Sequence, residues 1–159
     1  KANVRDPHND DELSDFLLRI LKGKANDGSG LIYGMGHAVY TKSDPRAVML
    51  KRYARQLAQD KGYGEDFELL ESIERLTPEV FNTYKGKHHD ICANVDLYSG
   101  LVYRMLGIPT EMYTPLFTIA RTAGWCAHRM EEILSSGKIM RPGYKCIERE
   151  RPYTELTRR

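Results

Sequence analysis

The chain has 159 residues, of which 41% are hydrophobic and 29% charged, and its formal net charge is +2. A chain of that length suits one domain with a real core, because it buries roughly two-thirds of the surface it exposes when unfolded. The composition excludes a disordered polymer, and no apolar run approaches the roughly 18 residues that a membrane helix needs.

The small net charge decides nothing about acidic ligands, since a few clustered arginines set a strong local field. Nothing at the start reads as a signal peptide, and an opening on Lys1 rather than Met is compatible with a missing upstream portion. Cys92, Cys126 and Cys146 are odd in number and widely spaced, which points to a reducing, cytoplasmic setting rather than a disulfide framework. None belongs to a C-x-x-C pair, so neither zinc nor another metal is expected.

In chain order, Asp10, Asp11 and Glu12 form an acidic first turn, and Leu13, Phe16, Leu17, Ile20 and Leu21 follow at helical spacing up to Gly23. A loop rich in Gly, Asn and Asp runs from Asn26 to Gly36. Asp44-Pro45 reads as a cap followed by proline at the first helical position, and Gly62 and Gly64 close that helix. Val48, Leu50, Tyr53, Ala54 and Leu57 are its predicted apolar side. Glu65 to Thr83 reads as two short helices, or as one kinked at Thr77-Pro78. A basic loop from Lys85 to Asp90 precedes a helix predicted from about Cys92 to Leu106, closed by Gly107 and Pro109. Val95, Tyr98, Val102 and Met105 share one of its faces, with Asp96, Ser99 and Tyr103 on another.

Thr114-Pro115 predicts the start of the last long helix, which runs to about Ser136 and ends at Gly137. Leu116, Ile119, Ala123, Ala127, Met130 and Leu134 form its predicted core stripe. Arg121, Trp125 and His128 lie nearly opposite, a combination suited either to a ligand site or to a subunit interface. Strand signals are weak throughout, and the predicted fold class is all-α.

Single residues in this pattern say little, because a lone histidine or a first-turn aspartate is more often structural than catalytic. The combination says more. Gly34-Met35-Gly36-His37-Ala38-Val39 leads to Asp44-Pro45-Arg46; Asn94-Val95-Asp96 leads to Ser99-Gly100; Pro115-Leu116-Phe117 leads to Ala120-Arg121; and Met140-Arg141-Pro142 follows. In that order and at those spacings, the chain resembles the C-terminal portion of the citrate synthase family.

The resemblance implies a citrate-synthase-type small helical domain over residues 1–113, and a C-terminal helix and arm of the large domain over 114–159. It implies condensation of acetyl-CoA with oxaloacetate, then hydrolysis to citrate and CoA, with no cofactor beyond the thioester substrate. By motif position, Asp96 matches the base that takes the methyl proton, and His37 matches the donor to the oxaloacetate carbonyl. Arg46 and Arg121 match carboxylate-binding arginines, Arg141 matches one lent across a homodimer, and Phe117 matches an aromatic residue beside the substrate. Arginine's planar fork fits a carboxylate in bidentate fashion. Leu31, Tyr33, Gly34, Met35 and Gly36 correspond to CoA-contacting backbone, with Lys42 a candidate for the CoA phosphates.

Two departures matter. In the family, a second histidine that stabilises the acetyl-CoA enol comes from a glycine-rich motif in the first half of a much longer chain. Neither His8 nor the His88-His89 pair has that setting, so the 159 residues alone are expected to be inactive. The arm reads Arg141-Pro142-Gly143 where the family often shows Arg-Pro-Arg. A 2-methylcitrate synthase, part of a citryl-CoA lyase, and a non-catalytic helical oligomerisation module remain as alternatives. The basic patches lack the interleaved aromatics of a nucleic-acid site.

Overall fold

A computed structural model of the chain describes Val4, Asp6, residues 8–135 and Glu155. Among the described residues there are five α-helices, α1 (Asp10–Leu21), α2 (Pro45–Lys61), α3 (Gly64–Lys85), α4 (Asp96–Met105) and α5 (Tyr113–Leu134), with a short 3-10 turn at Thr110–Met112. Among the described residues the one β-type pairing is an isolated antiparallel bridge between Met35 and Ala93. Two compact units divide the chain, Lys1–Thr118 and Ile119–Arg159.

The first unit is built on local signals that the chain states plainly. The Asn9 side chain accepts from the amides of Asp11 and Glu12, both at 3.1 Å, and so caps α1. Asp44 does the same for α2, where Pro45 follows with its pre-set φ, and Gly62 ends the helix in the left-handed region at φ 76°. α1 lays Leu13 and Leu17 against Leu76 of α3. Each such leucine stabilises the fold by about 1.5–3 kcal/mol. Around Tyr98 and Phe67, the facing sides of α2, α3 and α4 form the larger core.

Four sequence expectations are refined in detail. Of the two forms expected for Glu65 to Thr83, the structure has the single helix: α3 runs 22 residues with Pro78 inside it. Its neighbours Leu76 and Thr77 are buried, and the Thr77 hydroxyl donates to the Ile73 carbonyl at 2.6 Å, so tertiary packing outweighs the missing amide. α2 turns much of its predicted side inward, with Ala54 buried and Leu50 and Leu57 packed against the core, but Val48 and Tyr53 are exposed while Ala47 and Ala58 are buried. α4 begins at Asp96, because the backbone from Cys92 to Asn94 is occupied in pairing with Gly34 and Gly36. α5 starts at Tyr113, which places Pro115 inside its first turn, where proline is tolerated.

In the second unit, the described part of α5 carries no buried side chain. The predicted core stripe is exposed at Ile119, Met130 and Leu134, and Trp125 is exposed as well. The predicted stop at Gly137 lies outside the described residues.

Candidate functional site

The site is assembled where two loops are zipped together. Gly36 N–H donates to the Cys92 carbonyl at 2.8 Å, and Asn94 N–H donates to the Gly34 carbonyl at 2.9 Å. This short ladder sets the His37 loop beside the start of α4, which carries Asp96. Gly34 is dictated by the approach: its φ is +85°, and a Cβ there would stand 2.7 Å from the Leu97 Cα.

The His37 ring is oriented by its own loop. The backbone amides of Val39 and Tyr40 donate to its Nδ1 at 3.0 and 3.2 Å. With Nδ1 accepting, the proton of the neutral ring resides on Nε2. Arg46 Nη2 lies 3.3 Å from that Nε2. The two nitrogens lie close enough for one oxygen to accept from both.

Arg46 is held in place by Asp44, which is 1% exposed. Its Nε donates to Asp44 Oδ1 at 3.0 Å, its Nη2 donates to Oδ2 at 2.8 Å, and its backbone amide donates to Oδ1 at 3.0 Å. Asp44 thus caps α2 and aims the guanidinium with the same carboxylate. The hydrogen bonds from Arg46 hold the Asp44 carboxyl below its ordinary range, against the opposing effect of burial. The same bonds, with smaller contributions that include the Asp96 charge, push the Arg46 guanidinium further up. Tyr40 packs on both partners, with its ring centroid 5.0 Å from that of His37 and 5.5 Å from the Arg46 guanidinium carbon.

Asp96 is the first residue of α4 and is exposed; its amide is capped by Asn94 Oδ1 at 2.9 Å. It also lines one end of a cavity of about 400 Å³ beneath the loop that carries Leu31, Tyr33 and Gly34. Apolar side chains of α1 and α3, such as Phe16, Leu17 and Ile73, form the rest of the wall. Leu31 and Tyr33 are themselves exposed at the rim, and the Tyr33 hydroxyl donates to Asp27 at 2.6 Å.

His37 and Arg46 are therefore brought together, the Asp96 charge acts on Arg46, and Leu31, Tyr33 and Gly34 share the Asp96 cavity, whose lining does not include Met35 and Gly36. Lys42 is exposed on the loop that joins His37 to Asp44. Phe117 is half-buried on the first turns of α5. Arg121 is exposed on the part of α5 that belongs to the second unit. Arg141 lies outside the described residues. Sequence reasoning missed Tyr40, the Asp44 clamp and the role of Asn94. Asp44 is the recoverable one, since a cap two residues before an arginine is within reach of its guanidinium.

The class this geometry defines is an all-α unit that sets a histidine against a clamped arginine, with a carboxylate at the start of a neighbouring helix. The family profile described as "Citrate synthase, C-terminal domain" matches residues 3–143. The citrate synthase of Synechocystis is 49% identical over 111 residues, covering 70% of this chain and 26% of that protein. The Bacillus subtilis citrate/2-methylcitrate synthase is 41% identical over 112 residues, covering 70% of this chain and 28% of that protein. Among solved structures, the Thermoplasma acidophilum citrate synthase in complex with carboxymethyl coenzyme A and oxaloacetate aligns with a TM-score of 0.66 at 30% identity. That alignment covers 99% of this chain and 39% of that one. The chain belongs to the citrate synthase family and spans between a quarter and two-fifths of the length of these relatives.

Proposed function

We propose that these residues form the C-terminal part of a citrate synthase that condenses acetyl-CoA with oxaloacetate. The supporting observation is the 3.3 Å separation of His37 Nε2 and Arg46 Nη2, with the Asp96 charge near enough to act on Arg46. In this reading the Asp96 carboxylate takes a proton from the acetyl methyl group. The resulting carbon attacks the oxaloacetate carbonyl, whose oxygen receives the His37 Nε2 proton as the carbon–carbon bond forms. Water then cleaves the thioester, releasing citrate and CoA. Arg46 holds a substrate carboxylate, and its clamp by Asp44 means that little freedom is lost on binding.

The backbone from Leu31 to Gly36 meets the CoA adenine, with Lys42 toward the phosphates. By motif position, Phe117 and Arg121 are assigned to oxaloacetate binding, and Arg141 to the same task for a partner in a homodimer. Residues 1–113 form the small domain and 114–159 belong to the large one, in a cytoplasmic enzyme of the tricarboxylic acid cycle. A propionyl-CoA substrate is the second reading, favoured by the dual name of the Bacillus subtilis relative. One extra methylene changes binding by only about 1–3 kcal/mol.

NMR titration of the labelled chain with oxaloacetate and, separately, with carboxymethyl-CoA tests this assignment. Oxaloacetate is expected to shift the His37 ring and Arg46 Nε signals, and the CoA analogue those of Leu31 to Gly36. Shifts confined to other residues, or none at millimolar ligand, would overturn it.

A further inference from the structure

Asn94 is tied to both elements that carry the candidate catalytic groups. Its Nδ2 donates to the Gly36 carbonyl at 2.8 Å, immediately before His37. Its Oδ1 accepts from the Asp96 amide at 2.9 Å. Its own backbone N–H donates to the Gly34 carbonyl at 2.9 Å. A carbonyl on one side and an N–H on the other fix which end of the amide is which, so no flip is open to it. Those two partners also explain the residue type. Aspartate would cap α4 equally well but would set a carboxylate oxygen against the Gly36 carbonyl. Serine would cap α4 and stop short of Gly36.

We propose that Asn94 is a positioning residue that locks the His37 loop and the Asp96 helix start into one frame, setting the separation between carbonyl donor and base. The proposal rests on the citrate synthase reading above for its functional meaning. Gly36 is held from both sides, through its N–H by Cys92 and through its carbonyl by Asn94. A loop fixed at that point leaves the His37 ring only the local turn through Val39 and Tyr40 to settle its direction. Releasing the Asn94 contact frees the loop at the residue next to the donor, while α4 keeps its cap.

Asn94→Ser and Asn94→Asp in the 159-residue chain test this. Each retains an acceptor for the Asp96 amide and loses the donor to Gly36. Circular dichroism checks that both remain helical, and either folded variant suffices. The expected result is unchanged exchange of the Asp96 and Leu97 amides. Gly36, Val39 and Tyr40 amides should exchange up to about tenfold faster, the effect of one net hydrogen bond. The His37 ring nitrogen signals should move toward the average of the two tautomers, which loss of a helix cap alone would not cause. Wild-type His37 ring shifts and wild-type exchange at Gly36 in a folded variant would overturn the proposal and leave Asn94 as a cap. These measurements need no ligand. A wild-type chain that ignores oxaloacetate would therefore count against the function while the Asn94 result still stood.

Discussion

Asp27 shows how much of the site loop is set by single groups. The Ser29 side chain, then the Tyr33 hydroxyl and the Ser29 amide, draw its pKa from 3.8 down to about 2. A carboxyl depressed in the folded chain contributes stability that is fully present above its unfolded pKa. That contribution fades between about pH 4 and pH 2, as the folded group takes its proton. A carbon-13 titration of the Asp27 carboxyl should therefore show a midpoint near 2. Tyr33→Phe should raise it without restoring the ordinary value, since Ser29 remains; a wild-type midpoint near 3.8 would contradict the hydrogen-bond account. At this scale the sequence is legible where the signal is local. Asp44-Pro45 announces its cap, and Gly34 and Gly36 both adopt positive φ. Asn94 is not legible in that way, because its Gly36 partner lies 58 residues away and only the folded chain brings them together.

At the scale of elements, α2, α3 and α4 are joined by a polar network as well as by their core. The fully buried Tyr98 donates its hydroxyl to Glu74 Oε2 at 2.5 Å, and Lys51 Nζ reaches the same oxygen at 2.7 Å. Burial first, then the Glu74 carboxylate, pushes the Tyr98 hydroxyl far above its ordinary pKa, so it acts here only as a donor. Glu74→Ala leaves that hydroxyl buried and unsatisfied, at a cost of about 1–3 kcal/mol. Lys51 is half-exposed and recovers water, so Tyr98 should account for most of the loss. Urea denaturation should then show Glu74→Ala/Tyr98→Phe to be less destabilised than the sum of the single variants. Strict additivity would mean that the hydrogen bond is not the source of the cost. The helix itself was easier to foresee than its inner face. Leu50, Ala54 and Leu57 of the predicted side of α2 do face the core, whereas Val48 and Tyr53 stay exposed and the small Ala47 and Ala58 are buried beside them. Small residues let two backbones approach, and that gain is invisible until the neighbouring helices are known.

For the whole molecule, the decisive fact is coverage. The chain spans 26% of the Synechocystis relative and 39% of the Thermoplasma acidophilum enzyme. The proposed chemistry draws a base from Asp96 and a carbonyl donor from His37, but it assigns no residue of this chain to the enolate oxygen. Leaving that oxygen without a positioned donor forfeits one of the larger electrostatic contributions to such a step, typically about 10²–10³ in rate. The 159 residues alone should therefore release no CoA from acetyl-CoA and oxaloacetate above background. Joined in frame to the N-terminal portion of the Synechocystis citrate synthase, they should do so. Asp96→Asn in that chimera should lower turnover by about 10²–10⁴ as the proton acceptor is lost. Equal turnover by the isolated chain and the chimera would place the whole reaction within these residues. A folded chimera that binds both substrates yet releases no CoA would remove Asp96 and His37 from the roles proposed for them.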